Sequence, residues 1–172
     1  MIFRLTAKAK DQINIAKLEK IESNKDEVFF QEWNVDIIFI KHKKYFMFTE
    51  GKTLFTIIKH AVGVKSINDF NTFIRDIIIE VLNDLVEGIN LSDINISNII
   101  FTTTENNNVR RAQIDHLFHA KRLVELGKNT FDINRIPIAS IGYKFPVDYF
   151  IGELGKILQN DGFVFIEDVL RN

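Results

Sequence analysis

Apolar residues recur along this chain with two periods, and the points where one gives way to the other outline its elements. Ile2–Leu5 is a short apolar run that predicts a strand, and Thr6 behind it is a good N-cap residue. From Ala7 to Glu22 the spacing predicts a helix with Ile13, Ala16, Leu18 and Ile21 inward and Lys8, Lys10, Lys17 and Lys20 outward. Ser23 to Asp26 reads as a loop. At Trp33 the period falls to two: Trp33, Val35, Ile37 and Phe39 alternate with Asn34, Asp36, Ile38 and Ile40. Tyr45–Thr49 predicts a second strand, Glu50-Gly51-Lys52 a tight turn with Gly51 free to take positive φ, and Thr53–Ile58 a third strand. Two short turns in succession predict an antiparallel meander over 33–58.

Beyond the meander the helical period returns. Ser66 to Glu87 places Ile67, Phe70, Ile74, Ile77, Ile78, Val81, Leu82 and Leu85 on one face. Ser66 and Asp69 resemble a capping box, and Gly88 stands where a C′ residue belongs. Asp76, Glu80, Asp84 and Glu87 fall on the other side and read as a solvated face. Ile99–Thr104 predicts a strand and Glu105–Asn108 a loop. Val109–Leu126 predicts a helix with Ile114, Leu117, Phe118, Leu123 and Leu126 inward, stopped by Gly127. Pro146–Leu158 suits a last helix with Pro146 at N1, and Phe163–Ile166 reads as a final strand or packed tail. No repeat or linker divides the chain. The expectation is a single α+β domain over 1–172, a mostly antiparallel sheet with helices mainly on one face.

Composition narrows the function classes. The 172 residues are enough for one core, and 46% hydrophobic with 26% charged is ordinary for a soluble protein. The absence of Cys removes disulfides, thiolate nucleophiles, iron–sulfur clusters and Cys-based zinc sites. No secretory signal or membrane-length apolar run is evident, which predicts a cytoplasmic protein with no membrane partner. The net charge of −1 conceals alternating blocks: residues 33–65 carry +4, 66–105 carry −6 and 106–135 carry +3. Local faces of either sign are therefore available, without a global polyanion-binding balance.

The residues Trp33-Asn34-x-Asp36, Lys43-Lys44-x-Phe46-x-Phe48 and Lys52-Thr53-Leu54-Phe55 resemble a family of small bacterial proteins known only as a domain of unknown function. Its members carry a W-H-x-N-like strand, an Arg/Lys-Lys turn, an N/K-x-T-L-F strand and an N-R-S-like segment opening a helix. Asn108-Val109-Arg110-Arg111-Ala112 is a looser counterpart of the last. This chain has Asn34 where His is frequent, and Arg111-Ala112 where Arg-Ser is usual. The resemblance implies a prokaryotic or phage-borne cytosolic protein and implies no activity.

Four groups of residues remain as candidate chemistry. Lys41, Lys43 and Lys44 beside His42 suit phosphate contacts, with Tyr45 and Phe46 as stacking surfaces; a wet hairpin tip is the simpler explanation. Arg110 and Arg111 near a helix start sit against the helix dipole, so an anionic partner or an internal carboxylate is expected to compensate them. His116 and His119 share a helix face but lack the further ligands that a metal site needs, so no metal and no cofactor is expected. Trp33, Asn34 and Asp36 are a candidate pocket, and no catalytic residue is assigned. The expected function is a non-enzymatic binding or regulatory protein of a bacterium, phage or mobile element, acting through protein or nucleic-acid contacts. The alternatives are a small hydrolase-like enzyme using the Trp33–Asp36 strand and a homo-oligomeric interaction module.

Overall fold

A computed structural model describes residues 1–15, 18, 21, 29–85, 99–104 and 107–161. Among the described residues five strands form one sheet: β1 (Ile2–Leu5), β2 (Glu32–Ile40), β3 (Lys43–Glu50), β4 (Thr56–His60) and β5 (Ile100–Thr103). Their order is β4-β3-β2-β1-β5. The run β2–β3–β4 is antiparallel, whereas β1 pairs parallel with both β2 and β5. The α+β class is the predicted one, but the sheet is mixed rather than mostly antiparallel. Strand β1 enters between two later strands, and no local pattern in its four residues records that.

Alternation along the strands sorts the residues onto two faces. Phe3, Leu5, Trp33, Val35, Ile37, Phe46, Phe48 and Ile57 belong to the larger core. Against it pack helices α1 (Ala7–Gln12), α2 (Ile67–Leu85) and α4 (Pro146–Asp161), through Ala9, Phe70, Ile74, Ile77, Ile78, Phe150 and Leu154. At the start of α2 the Ser66 N–H donates to the Asp69 carboxylate and the Asp69 N–H to the Ser66 hydroxyl, which realises the capping box. Phe70 lies 5.0 Å from Phe46 and 5.9 Å from Phe48, ring centre to ring centre. Helix α3 (Asn107–Glu125) covers the opposite face, where Ala120 joins Ile38, Ile40, Met47, Ile58 and Ile133. Both faces are therefore covered, the larger share by α1, α2 and α4.

Three predicted elements change on folding. Helix α1 ends at Gln12 because Asn14 takes φ 55, a left-handed conformation that Asn tolerates. The turn after β3 is wider than predicted, and β4 starts at Thr56 instead of Thr53. Its positive φ falls on Leu54 (φ 59) rather than Gly51. Glu50 explains this: its buried carboxylate accepts from the Thr53 N–H at 2.7 Å, the Thr53 hydroxyl at 2.6 Å and the Phe30 N–H at 2.9 Å. An internal acceptor thus winds the loop about itself, and burial raises the Glu50 pKa. Helix α3, finally, is rotated from its predicted phase. Val109, Ala112, Gln113, His116 and Ala120 face inward and Leu117 and Leu123 pack against the core as predicted, while Ile114, Phe118 and Leu126 are exposed. The predicted Ser23–Asp26 loop, the Glu87–Gly88 helix end and the Phe163–Ile166 strand lie outside the described residues.

Candidate functional site

The rotation of α3 has its cause in the sheet. One row across the inner face reads Thr102, Arg4, Asn34, Thr49 and Thr56, and every member is buried. Buried polar atoms need partners, and α3 brings polar side chains to supply them. Gln113 donates to the Asn34 carbonyl at 3.2 Å, and His116 Nδ1 lies 2.7 Å from the Thr56 hydroxyl. Arg4 holds Glu32 in a two-bonded pair, Nε to Oε2 at 2.7 Å and Nη2 to Oε1 at 3.0 Å. Its Nη1 donates to the Ile21 carbonyl at 3.1 Å.

Thr56 is the hinge of this network. Its hydroxyl donates to the Leu54 carbonyl at 3.1 Å and lies 3.0 Å from the Thr49 hydroxyl. With that proton spent, the consistent tautomer has His116 donating from Nδ1 and leaves Nε2 a bare lone pair. Nε2 is buried and has no hydrogen-bond partner among the described residues. Burial, helped by the neighbouring His119, lowers the His116 pKa from 6.5 to about 4.

Asn134 acts on the same residue from outside the sheet. It belongs to the 3-10 helix Thr130–Arg135, accepts from the Thr56 N–H at 2.7 Å and donates to the Thr56 carbonyl at 2.8 Å. A side-chain amide here imitates the next strand. It also shows which way the backbone of β4 points. The Thr56 polar groups face the edge of the sheet that is open among the described residues, so those of Ile58 and His60 do as well, by the period of two. The β3 register agrees: Ala61 donates to Lys44 and Glu50 to Phe55, which puts the bonded pairs at odd positions of β4.

Along that edge runs a cleft of about 370 Å³, within the ~300–1,000 Å³ of ligand pockets. Ile57 and Ile58 line one side, Val81 and Asp84 of α2 a second, Asn129, Phe131 and Arg135 a third, and Val147 and Ile151 of α4 the end. Its rim carries both signs, with Lys59 bonded to Glu80 and with Asp84 and Arg135 beside them.

The residues singled out from sequence are dispersed. Trp33 points into the large core, edge-on to Phe30 at 5.6 Å, and its Nε1 has no partner among the described residues. Asn34 and Asp36 point to the other face. Asn34 Oδ1 accepts from the Thr104 hydroxyl at 2.8 Å, and Asp36 Oδ1 from the Thr6 hydroxyl at 2.6 Å. Lys41 and His42 form the whole two-residue hairpin turn, both with positive φ, while Lys43 and Lys44 already belong to β3 and face opposite ways. Lys41 reaches the Val124 carbonyl at 3.3 Å and Lys44 reaches Gln12 at 2.6 Å. Lys44 thereby borders a shallow depression of about 330 Å³ with Lys8, Asp11 and Phe39. Arg110 and Arg111 are exposed at the other end of α3, roughly 20 Å from Val124 at ~1.5 Å per residue. The two basic groups do not share a patch. No cluster of three or more His, Asp or Glu that could hold a metal occurs among the described residues. Nor is any described helix long and apolar enough to cross a membrane.

Sequence reasoning missed Glu50, Thr56, Gln113 and Asn134. A polar residue inside an apolar alternation was the available signal at Thr49 and Thr56. The segment Lys52-Thr53-Leu54-Phe55 gains a structural explanation: Lys52 pairs with Glu153 at 2.6 Å, Thr53 ties down Glu50, and Phe55 lies 4.4 Å from Phe150. No curated protein and no solved structure matches the chain. A family model does, over residues 2–149, and the chain therefore belongs to the family described as a domain of unknown function (DUF6933).

Proposed function

We propose that this protein works by binding, and that its ligand is an extended polypeptide segment laid along the open edge of β4. The observation that carries the reading is the outward set of β4 backbone groups beside a cleft of about 370 Å³. Strand addition uses such groups for affinity and the flanking pocket for side-chain choice. Ile57 and Val147 offer an apolar floor, and Lys59, Glu80, Asp84 and Arg135 offer charges of both signs at the rim. Asn134 stops the ligand at Thr56, because that position of the edge is already bonded.

A peptide library displayed on phage, selected against the purified protein, supplies the probe. The selected peptide is then titrated by calorimetry into wild type, His60→Pro and Arg135→Glu. Pro is tolerated on an edge strand whose N–H faces outward, so His60→Pro keeps the fold and removes one donor. The expected result is at least a tenfold weaker complex for each variant, on the order of 1.4 kcal/mol. A library that yields no binder, or a binder indifferent to both variants, overturns the reading.

A further inference from the structure

The exposed side of α3 carries a second interaction surface, independent of the cleft. Ile114 is 67% and Phe118 68% exposed, an unusual pair of large apolar side chains for the middle of a solvent-facing helix. At ~100° per residue, Arg111, Ile114, Phe118, Arg122 and Glu125 fall within an arc of about 80°. Their spacings of three and four residues make one continuous stripe with Phe118 at its centre.

The charges along this stripe are self-complementary about Phe118. When a second α3 is laid antiparallel across the first with the two Phe118 rings opposed, each residue meets the one on its own flank at a similar distance on the other side of Phe118. Arg111 then faces the partner's Glu125, and Asp115 faces the partner's Arg122. Ile114 lies against the aliphatic stem of the partner's Lys121. A two-fold axis repeats every contact, giving four charge pairs around an aromatic and aliphatic centre. All four charged residues are exposed, and none forms an ion pair among the described residues. We infer that α3 is the interface of a two-fold symmetric homodimer, with Phe118 on the axis and Arg111–Glu125 and Asp115–Arg122 as its intermolecular pairs.

One helix pair covers less than the ~800 Å² per partner of a typical stable interface, so the expected affinity is micromolar. Light scattering and sedimentation over roughly 1 µM to 1 mM are expected to show mass rising from monomer to dimer. Phe118→Glu leaves the protein monomeric throughout, and circular dichroism checks its fold. Arg111→Glu weakens dimerisation at least tenfold, whereas Arg111→Glu with Glu125→Arg restores it, because the swapped charges meet again across the axis. The natural chain has no cysteine, so Phe118→Cys provides an independent reading. Under mild oxidation it is expected to link to itself far faster than Val62→Cys, which is equally exposed but distant from α3 in the chain.

A monomer at every concentration, with equal cross-linking of the two cysteine variants, overturns the dimer. So does a charge swap that fails to restore association. If that monomer instead binds a single-stranded oligonucleotide and loses it in Arg111→Glu, the face belongs to nucleic acid and the inference falls. Peptide binding in the β4 cleft is measured separately and is unaffected by either result.

Discussion

Lowering the pH from 6.5 to 4 loads one specific strain onto this fold. His116 is buried, its only side-chain hydrogen bond among the described residues runs through Nδ1 to Thr56, and a second proton would sit on Nε2 without a partner there. The folded chain therefore titrates this residue at about 4, against 6.5 in the unfolded chain. Between those values the unfolded state binds a proton that the folded state does not. Stability is thus fully present above pH 6.5, falls as pH drops toward 4, and levels off below. At roughly 1.4 kcal/mol per pH unit, the whole window is worth about 3 kcal/mol, a large share of a domain's ~5–15 kcal/mol. Urea unfolding of wild type and His116→Asn, followed by the fluorescence of the single Trp, measures it at fixed ionic strength. Acid also weakens other groups, such as Glu153, whose pKa is lowered by Lys156 and Lys52. The difference between the two proteins cancels those contributions. It is expected to change by about 3 kcal/mol across the window. If both lose stability in parallel from pH 6.5 to 4, the buried neutral imidazole is refuted.

Two other perturbations follow from the same polar framework and its edges. Arg4→Met strands the mostly buried Glu32 carboxylate and is expected to cost about 3–5 kcal/mol in chemical denaturation, while Arg4→Met with Glu32→Leu recovers more than half. Equal losses for the single and double variants would show that the pair does not act as a unit. His42→Gly relieves a non-glycine residue at φ 63 in the hairpin turn and is expected to raise stability by about 1 kcal/mol. An unchanged or lower unfolding free energy would argue against strain there.

By itself the sequence determined what depends on local chemistry. The period-two run from Trp33, the capping box at Ser66 and the apolar face of α2 are each decided by neighbours a few residues away, so the strands, the helix and the α+β class were legible. Tertiary structure decided the rest. Arg4, Asn34, Thr49, Thr56 and Thr102 lie far apart in the chain and become one buried row only when β1 enters between β2 and β5. That row then overrides the amphipathic reading of α3: leaving its donors and acceptors unpaired costs more than exposing Ile114 and Phe118, so Gln113 and His116 turn inward. Likewise the cleft beside β4 forms only because α2, α4 and the segment around Asn134, which bonds Thr56 from 78 residues away, converge on that strand. Periodicity reads one element at a time, and a hydrogen-bond deficit in one element that is met by another leaves no mark in either alone.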